Sequence, residues 1–187
     1  MGLRGSQTVT LVSGQAVRFL VTLIGRSSIA LPAQWVRGIV MPAATGRDGL
    51  VNWANVSYQP TDLAGRLKLM SHSQSAETRL VLYGHDQQAR SFAVDKVSGL
   101  VDVERTAIHP LPTHFRGAER DRLLGVFADR DSVSLIVNPF WVLDLPLRKN
   151  ALDTFAVRLS EQRHEEADVR LQLSVTTLDA VPAGHVG

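Results

Sequence analysis

The sequence predicts an all-β protein, a barrel or sandwich of short strands. Two observations lead there. Runs rich in β-branched and aromatic residues recur at short intervals, with Gly, Asn, Asp and Ser clusters between them, which is the spacing of strands joined by tight turns. Two passages then repeat one style of composition: residues 49–63 (GLVNWANVSYQPTDL) and residues 92–104 (FAVDKVSGLVDVE) each set such residues around small or polar breaks, as strands with turns require.

Taken in order, residues 8–12 and 17–24 read as strands separated by a turn at Ser13-Gly14-Gln15. A short strand at 28–31 follows Gly25-Arg26. Pro32 stands where a helix or turn can begin, and residues 33–40 offer the first helical turn. Residues 41–48, with Pro42 and Gly46, form a loop. Strand character returns at 49–58, and residues 63–69 suit a short helix. The stretch His72-Ser73-Gln74-Ser75 marks a boundary between lobes. Beyond it, residues 79–83 and 90–94 make a hairpin across Gly84-His85-Asp86-Gln87, and residues 100–104 are a further strand. Two prolines keep residues 109–114 irregular. Residues 123–127 and 133–137 make a second hairpin around Ala128-Asp129-Arg130-Asp131.

The pattern changes from Asn150. Leu152, Phe155, Ala156 and Leu159 have helical spacing, a charged run covers 161–166, and Val169, Leu171, Leu173 and Val175 alternate with polar residues as a strand does. This tail is suited to adding an edge strand or to making a separate contact.

Composition narrows the function. With 187 residues, 44% hydrophobic and 20% charged, the chain is long enough to bury a core and is not a disordered chain. It has no cysteine, which removes disulfides and thiolate metal sites. The net charge is +2, and the arginines are scattered singly, whereas nucleic-acid binders gather such charge in a patch. The apolar stretch 19–24 falls short of a signal peptide core and of a membrane helix. Met1-Gly2-Leu3-Arg4-Gly5-Ser6 meets the loose myristoylation pattern but reads as an ordinary N-terminus. The expectation is a cytoplasmic protein with neither nucleic-acid binding nor direct membrane insertion.

No catalytic signature emerges: there is no Gly-x-Ser-x-Gly elbow, phosphate-binding loop or dinucleotide fingerprint. Glu161 and His164 have a bundle metal spacing, but only one copy exists where two are needed; a solvated helix face explains them. His109 and His114 flank the proline-bearing loop with no third ligand in sight. No metal or cofactor is expected.

In order and separation, the motifs resemble those of the CheW-like chemotaxis coupling family over about residues 17–148. Phe19-Leu20-Val21 with Ala30-Leu31-Pro32 resembles the opening hairpin of that family, and Trp35-Val36-Arg37-Gly38-Ile39-Val40 the segment after it. Gly49, Val51, Asn52, Asp62 and Leu63 fall on its central motif; Val94, Asp95 and Val97 fall on its second-lobe motif. Ile108-His109-Pro110-Leu111-Pro112 and the strands around Leu124-Gly125-Val126 and Leu135-Ile136-Val137-Asn138 complete the likeness.

The resemblance implies two intertwined five-stranded SH3-like barrels with short helices, carried by a CheW-like domain over 1–149. Lobe one would take 8–71 and the closing segment 144–149, lobe two 76–143, and residues 150–187 would be a C-terminal extension. It also implies a non-catalytic adaptor: lobe one meets the regulatory domain of a CheA-type histidine kinase, and an inter-lobe groove takes the cytoplasmic tip of a chemoreceptor or an equivalent sensory protein. The partner-binding residues would be Val36, Ile39, Asn52, Trp53, Ala54, Asn55, Asp62, Asp95 and Val97.

The sequence departs from the family at the central motif, usually Asn-Leu-Arg-Gly with a proline four residues later. Here the places hold Asn52, Trp53, Ala54, Asn55 and Gln59, with Pro60 displaced by one. A methyl group replaces an arginine able to make bidentate contacts, while Asn55 is expected to keep a left-handed turn. Gly38 stands where many members carry an acidic residue. Such divergence suits a kinase pathway other than flagellar chemotaxis, or a remnant whose contacts have decayed.

Individual residues have plainer uses too. Trp53 serves either as core, the commoner use, or as an exposed anchor. Val36 and Ile39 either line a groove for amphipathic helices or pack beneath their own segment. Asp62 and Asp95 are read first as ligands of turn amides. A different class of function, a small-molecule sensor or enzyme in an inter-lobe cavity, would show a pocket of converging polar groups.

Overall fold

In the computed structural model, residues 16–71, 75–85, 87–129 and 132–147 are described. The strand proposed at 8–12, the boundary residues 72–74 and everything proposed beyond 147 lie outside them.

Ten strands form two five-stranded sheets. The strands are β1 (Ala16–Ile24), β2 (Ser27–Pro32), β3 (Val36–Val40), β4 (Val51–Trp53), β5 (Val56–Pro60), β6 (Arg79–His85), β7 (Gln88–Val94), β8 (Lys96–Glu104), β9 (Leu123–Asp129) and β10 (Ser132–Val137). Three short helices join them: α1 (Leu63–Leu67), α2 (Ala118–Arg122) and α3 (Pro139–Val142). The first sheet runs β8-β1-β2-β10-β9, the second β3-β6-β7-β5-β4. The all-β reading holds, and both expected hairpins are present as the antiparallel pairs β6–β7 and β9–β10.

The second sheet is continuous in sequence, whereas the first joins an early hairpin to three late strands. Two pairings, β2–β10 and β5–β7, are parallel. The chain therefore interleaves its halves.

One core joins the sheets. Phe19, Ile29, Leu31, Phe127 and Ile136 of the first sheet pack with Val81, Tyr83, Phe92 and Val94 of the second. A smaller cluster of Val51, Tyr58 and Leu82 fills the curl of the second sheet. On β6, Val81 and Tyr83 face the shared core while Leu82 faces the smaller cluster. Burial on both faces explains the unbroken apolar run there. Trp35 seals the end of the shared core, 4% exposed, stacked on His85 at 4.5 Å and edge-on to Phe140 at 5.1 Å.

One expected element differs. Residues 33–40 hold only a 3-10 turn over Ala33–Trp35, and the rest is strand β3. Pro32 can open a helix, but the β-branched residues Val36, Ile39 and Val40 gain more as a strand pairing with β6.

Candidate functional site

The β3 strand and the β4–β5 hairpin after it carry exposed apolar side chains, Ile39, Trp53 and Val56. Beside β3 lies an open groove of about 500 Å³, lined by Arg18, Leu20, Gln34, Val36, Ile39 and Leu100 among others. It runs between the sheets, with β3 on one side and β1 and β8 on the other. Leu100 is 62% and Ile39 42% exposed, an apolar content that water does not favour. The charges at the groove already have partners. Arg18 grips Asp102 through two hydrogen bonds of 2.8 and 3.0 Å, and the Arg37 Nε donates to the Gly84 carbonyl at 3.1 Å.

The hairpin β4–β5 adjoins this groove through Gly38. A Cβ on Gly38 would stand 3.5 Å from the Trp53 indole nitrogen and 3.4 Å from Leu82. The indole thus lies over the bare glycine and bridges β3 and β4, the two edges of the second sheet. The two departures at Gly38 and Trp53 meet in one packing unit, where a methyl at 38 would come into ordinary van der Waals contact with the ring. Trp53 is nonetheless 49% exposed, which corrects the expectation that it belongs to the core. Its neighbour Val56, directly opposite in the ladder, is 42% exposed. Leu100, Ile39, Trp53 and Val56 together present apolar surface on four strands, β8, β3, β4 and β5.

Ala54 and Asn55 close the hairpin as a two-residue turn, with φ of 48° and 62°. Positive φ at both central positions is the type I′ requirement, so Asn55 does keep the left-handed conformation expected of it. Ala54 holds the same region without the amide that makes it tolerable for Asn. Asn52 ties the ladder, its Oδ1 accepting from the Ser57 hydroxyl at 2.6 Å.

The other predicted positions sit elsewhere. Asp62 caps α1, its Oδ1 accepting from the Gly65 amide at 2.8 Å. Asp95 is 9% exposed; its carboxylate accepts from the Gly25 amide at 2.6 Å and the Ser71 hydroxyl at 2.7 Å. Gly25 must be glycine there, since a Cβ would stand 2.1 Å from the Met70 carbonyl oxygen. Both aspartates bind turn amides, as expected of them. Val97 packs against the shared core. The structure therefore brings together Val36, Ile39, Asn52, Trp53, Ala54 and Asn55, and sets Asp62, Asp95 and Val97 apart.

Sequence reasoning missed Leu100 and Arg18. Leu100 faces outward on a strand where Ser98, Asp102 and Glu104 share its face, and an apolar residue among polar ones on one face was the available signal. It also missed a junction where α1 meets the chain after α3. The Arg66 guanidinium lies 4.3 Å from the Trp141 ring centre, donates to the Trp141 and Val142 carbonyls, and pairs with Asp144 at 2.9 Å. Arg90 pairs with the same carboxylate at 3.2 Å.

A family model, the CheW-like domain, matches residues 18–146, more than half of the chain. The chain belongs to the CheW-like domain family. Among solved structures, the CheW-like fold here is similar to the scaffolding protein CheW from Thermoanaerobacter tengcongensis, with a TM-score of 0.54 and 17% sequence identity, covering 66% of this chain and 89% of that one. Among curated proteins, none matches the chain. A scaffold role in chemotaxis signal transduction follows from the CheW-like family. No helix among the described residues is long and apolar enough to cross a membrane.

Proposed function

We propose that this CheW-like protein is a cytoplasmic, non-catalytic adaptor that couples a chemoreceptor tip, or an equivalent sensory protein, to a CheA-type histidine kinase. The observation that carries the reading is the open groove between the sheets with Leu100 and Ile39 exposed along it. An amphipathic helix laid there would cover apolar surface, and the Arg18–Asp102 pair would fix its register. The β4–β5 hairpin, with Trp53 and Val56 exposed, supplies the face for the kinase regulatory domain, where a half-buried tryptophan is the kind of anchor that dominates interfaces. Ala54 at the hairpin tip cannot make an arginine contact, so recognition there rests on Trp53 and on shape.

The same groove gives little support to a small-molecule site or an enzyme. It is open, Leu100 and Ile39 are exposed along it, and Arg18 and Arg37 are engaged with Asp102 and with backbone. Ligand pockets instead bury their guest and converge polar groups upon it.

A calorimetric titration against the regulatory domain of a CheA-type kinase from the same genome tests the proposal. Saturable binding near 1 μM, about −8 kcal/mol, is expected; no binding to any such kinase overturns the kinase half of the reading.

A further inference from the structure

A second cavity, of about 310 Å³, lies apart from the groove and shares no lining residue with it. Leu80, Ser91 and Ala93 line it, together with Pro60, Thr61 and Asp62 on the way into α1. In the β6–β7 ladder Ser91 stands opposite Leu82 and Ala93 opposite Leu80, and both leucines belong to the packing inside the curl of the second sheet. Opposed residues share a face, so Ser91 and Ala93 point into the curl as well.

The remaining wall is a turn fixed by its own bonds. The Gly46 amide donates to the Leu50 carbonyl at 2.8 Å, the Gly49 amide to the Gly46 carbonyl at 3.0 Å, and the Leu50 amide to the Asp48 carboxylate at 3.0 Å. Thr45 and Gly49 present this turn to the cavity. The walls are therefore in place before any guest arrives, as in most ligand sites.

Ser91 is only 3% exposed, yet its hydroxyl bonds to no group of the described residues. The other buried polar side chains do bond: Thr22 to the Ile29 carbonyl, Ser28 to Ser134, Thr78 to Ser75, Asp95 to Gly25, and Asn138 to Phe140. A buried hydroxyl without a partner is costly and calls for a reason. Near it, Asp62 gives one carboxylate oxygen to the Gly65 amide. The second oxygen accepts nothing from the described residues. Glycine at 65 leaves it uncovered, since a Cβ there would collide with it.

No lysine, arginine, histidine or side-chain amide lines the cavity. Arg79 and Arg90 adjoin Leu80 and Ser91 in sequence but take the other face of the sheet. There Arg79 donates to the Ala76 and Thr78 carbonyls, and Arg90 pairs with Asp144. Arg47 in the wall turn is followed by Asp48, which offsets its charge. The cavity thus offers a carboxylate oxygen and hydroxyls, and a guest must bring the donors and the positive charge. Leu80, Ala93 and Pro60 give it apolar cover.

We infer that this cavity binds a small primary amine, its ammonium group shared by Asp62 and Ser91 and its short hydrocarbon body on Leu80, Ala93 and Pro60. A lysine side chain of another protein carries the same head group; the enclosed shape, near the lower size of small-molecule sites, favours the free amine.

The probe is n-butylamine, titrated into the full chain and followed by NMR. The Ser91 and Ala93 amide signals and the Leu80 methyl signals should shift and saturate, with a Kd of about 1 mM for so small a ligand. Butanol and butyrate, with the same body and no positive charge, should bind at least about tenfold more weakly. The tripeptide Gly-Lys-Gly should also bind more weakly. Asp62→Asn keeps a capping side chain and should weaken butylamine binding at least about fivefold while leaving butanol unchanged. Ser91→Ala, the second variant, should weaken butylamine too. Absence of saturation, equal binding of butanol, or unchanged affinity in both variants overturns the inference. So do equal shifts beside the exposed Glu104, which would mean general charge association. Tighter binding of the tripeptide overturns the free amine in favour of a protein lysine. No kinase or receptor enters the test, so its outcome leaves the adaptor reading untouched.

Discussion

Asp95 and the residues of the groove and the β4–β5 hairpin are used in opposite ways. At Asp95 the carboxylate is nearly buried and its bonds go to Gly25 and Ser71 of this same chain. At the groove and the β4–β5 hairpin, Ile39, Trp53, Val56 and Leu100 leave much of their apolar surface in water. A group whose bonding is satisfied internally has little left for a partner; an apolar group without internal cover has much. Exposure and satisfaction, more than motif membership, separate the residues that hold the fold from those available for contact.

The sharpest way to break this comparison is Asp95→Ala. It leaves the Gly25 amide and the Ser71 hydroxyl without their acceptor, and hydrogen bonds to a charged group are the strong class. A loss of about 2–3 kcal/mol in urea unfolding is expected. A fully stable Asp95→Ala protein that lost kinase binding would reverse the assignment of the two groups.

Ile39→Asp should do the opposite. Stability should change by less than about 0.5 kcal/mol, as at most surface sites, while affinity for the receptor partner falls at least about tenfold, roughly 1.4 kcal/mol. Trp53→Ala should weaken kinase binding comparably by titration calorimetry, with a stability loss of about 1 kcal/mol from exposing Gly38 and Leu82. Unchanged affinity in folded variants would remove these residues from the contact surface.

Tyr83 tests the satisfied side from another direction. It is wholly buried and its hydroxyl finds no partner among the described residues, and burial raises its pKa well above the usual phenol value. The folded state thus holds this proton more tightly than the unfolded chain does. The contribution is complete below the unfolded pKa, about 10, and declines as pH rises past it. Tyr83→Phe should raise stability by up to about 1 kcal/mol by removing an unpaired hydroxyl, and should flatten the alkaline decline in a denaturation series from pH 9 to 11. The smallest effect is expected of Ala54→Gly: about 1 kcal/mol of stabilisation at most, because glycine adopts positive φ without the Cβ penalty, partly offset by its greater freedom when unfolded.

Much of the fold was legible because it is written in local alternation. Residues 17–24, 79–83, 90–94 and 133–137 lie in strands of the expected kind, and Asn55 and Asp62 have the backbone roles their side chains suggest. The misread segment, residues 33–40, is short, and its strand depends on β6, forty or more residues away. Trp53 misled for a similar reason. Its exposure depends on a hairpin overhanging Gly38, and that contact joins two edges of a curled sheet. The groove was only half visible, since its walls come from β1, β3 and β8, and β8 lies far along the chain from the other two.

The interleaved sheets also have a consequence for synthesis on the ribosome. The strands β3 to β7 occupy one unbroken stretch, so the second sheet has all its parts once residue 94 has emerged. The β1–β2 hairpin, made earlier, must wait for β8 on one side and β10 on the other. Until then Phe19, Ile29 and Leu31, fully buried at the end, are without their later strands, and such non-local pairing is slow and prone to aggregate. The nascent chain therefore carries its stickiest hairpin longest, and a ribosome stalled between residues 94 and 132 would expose a substrate for chaperones.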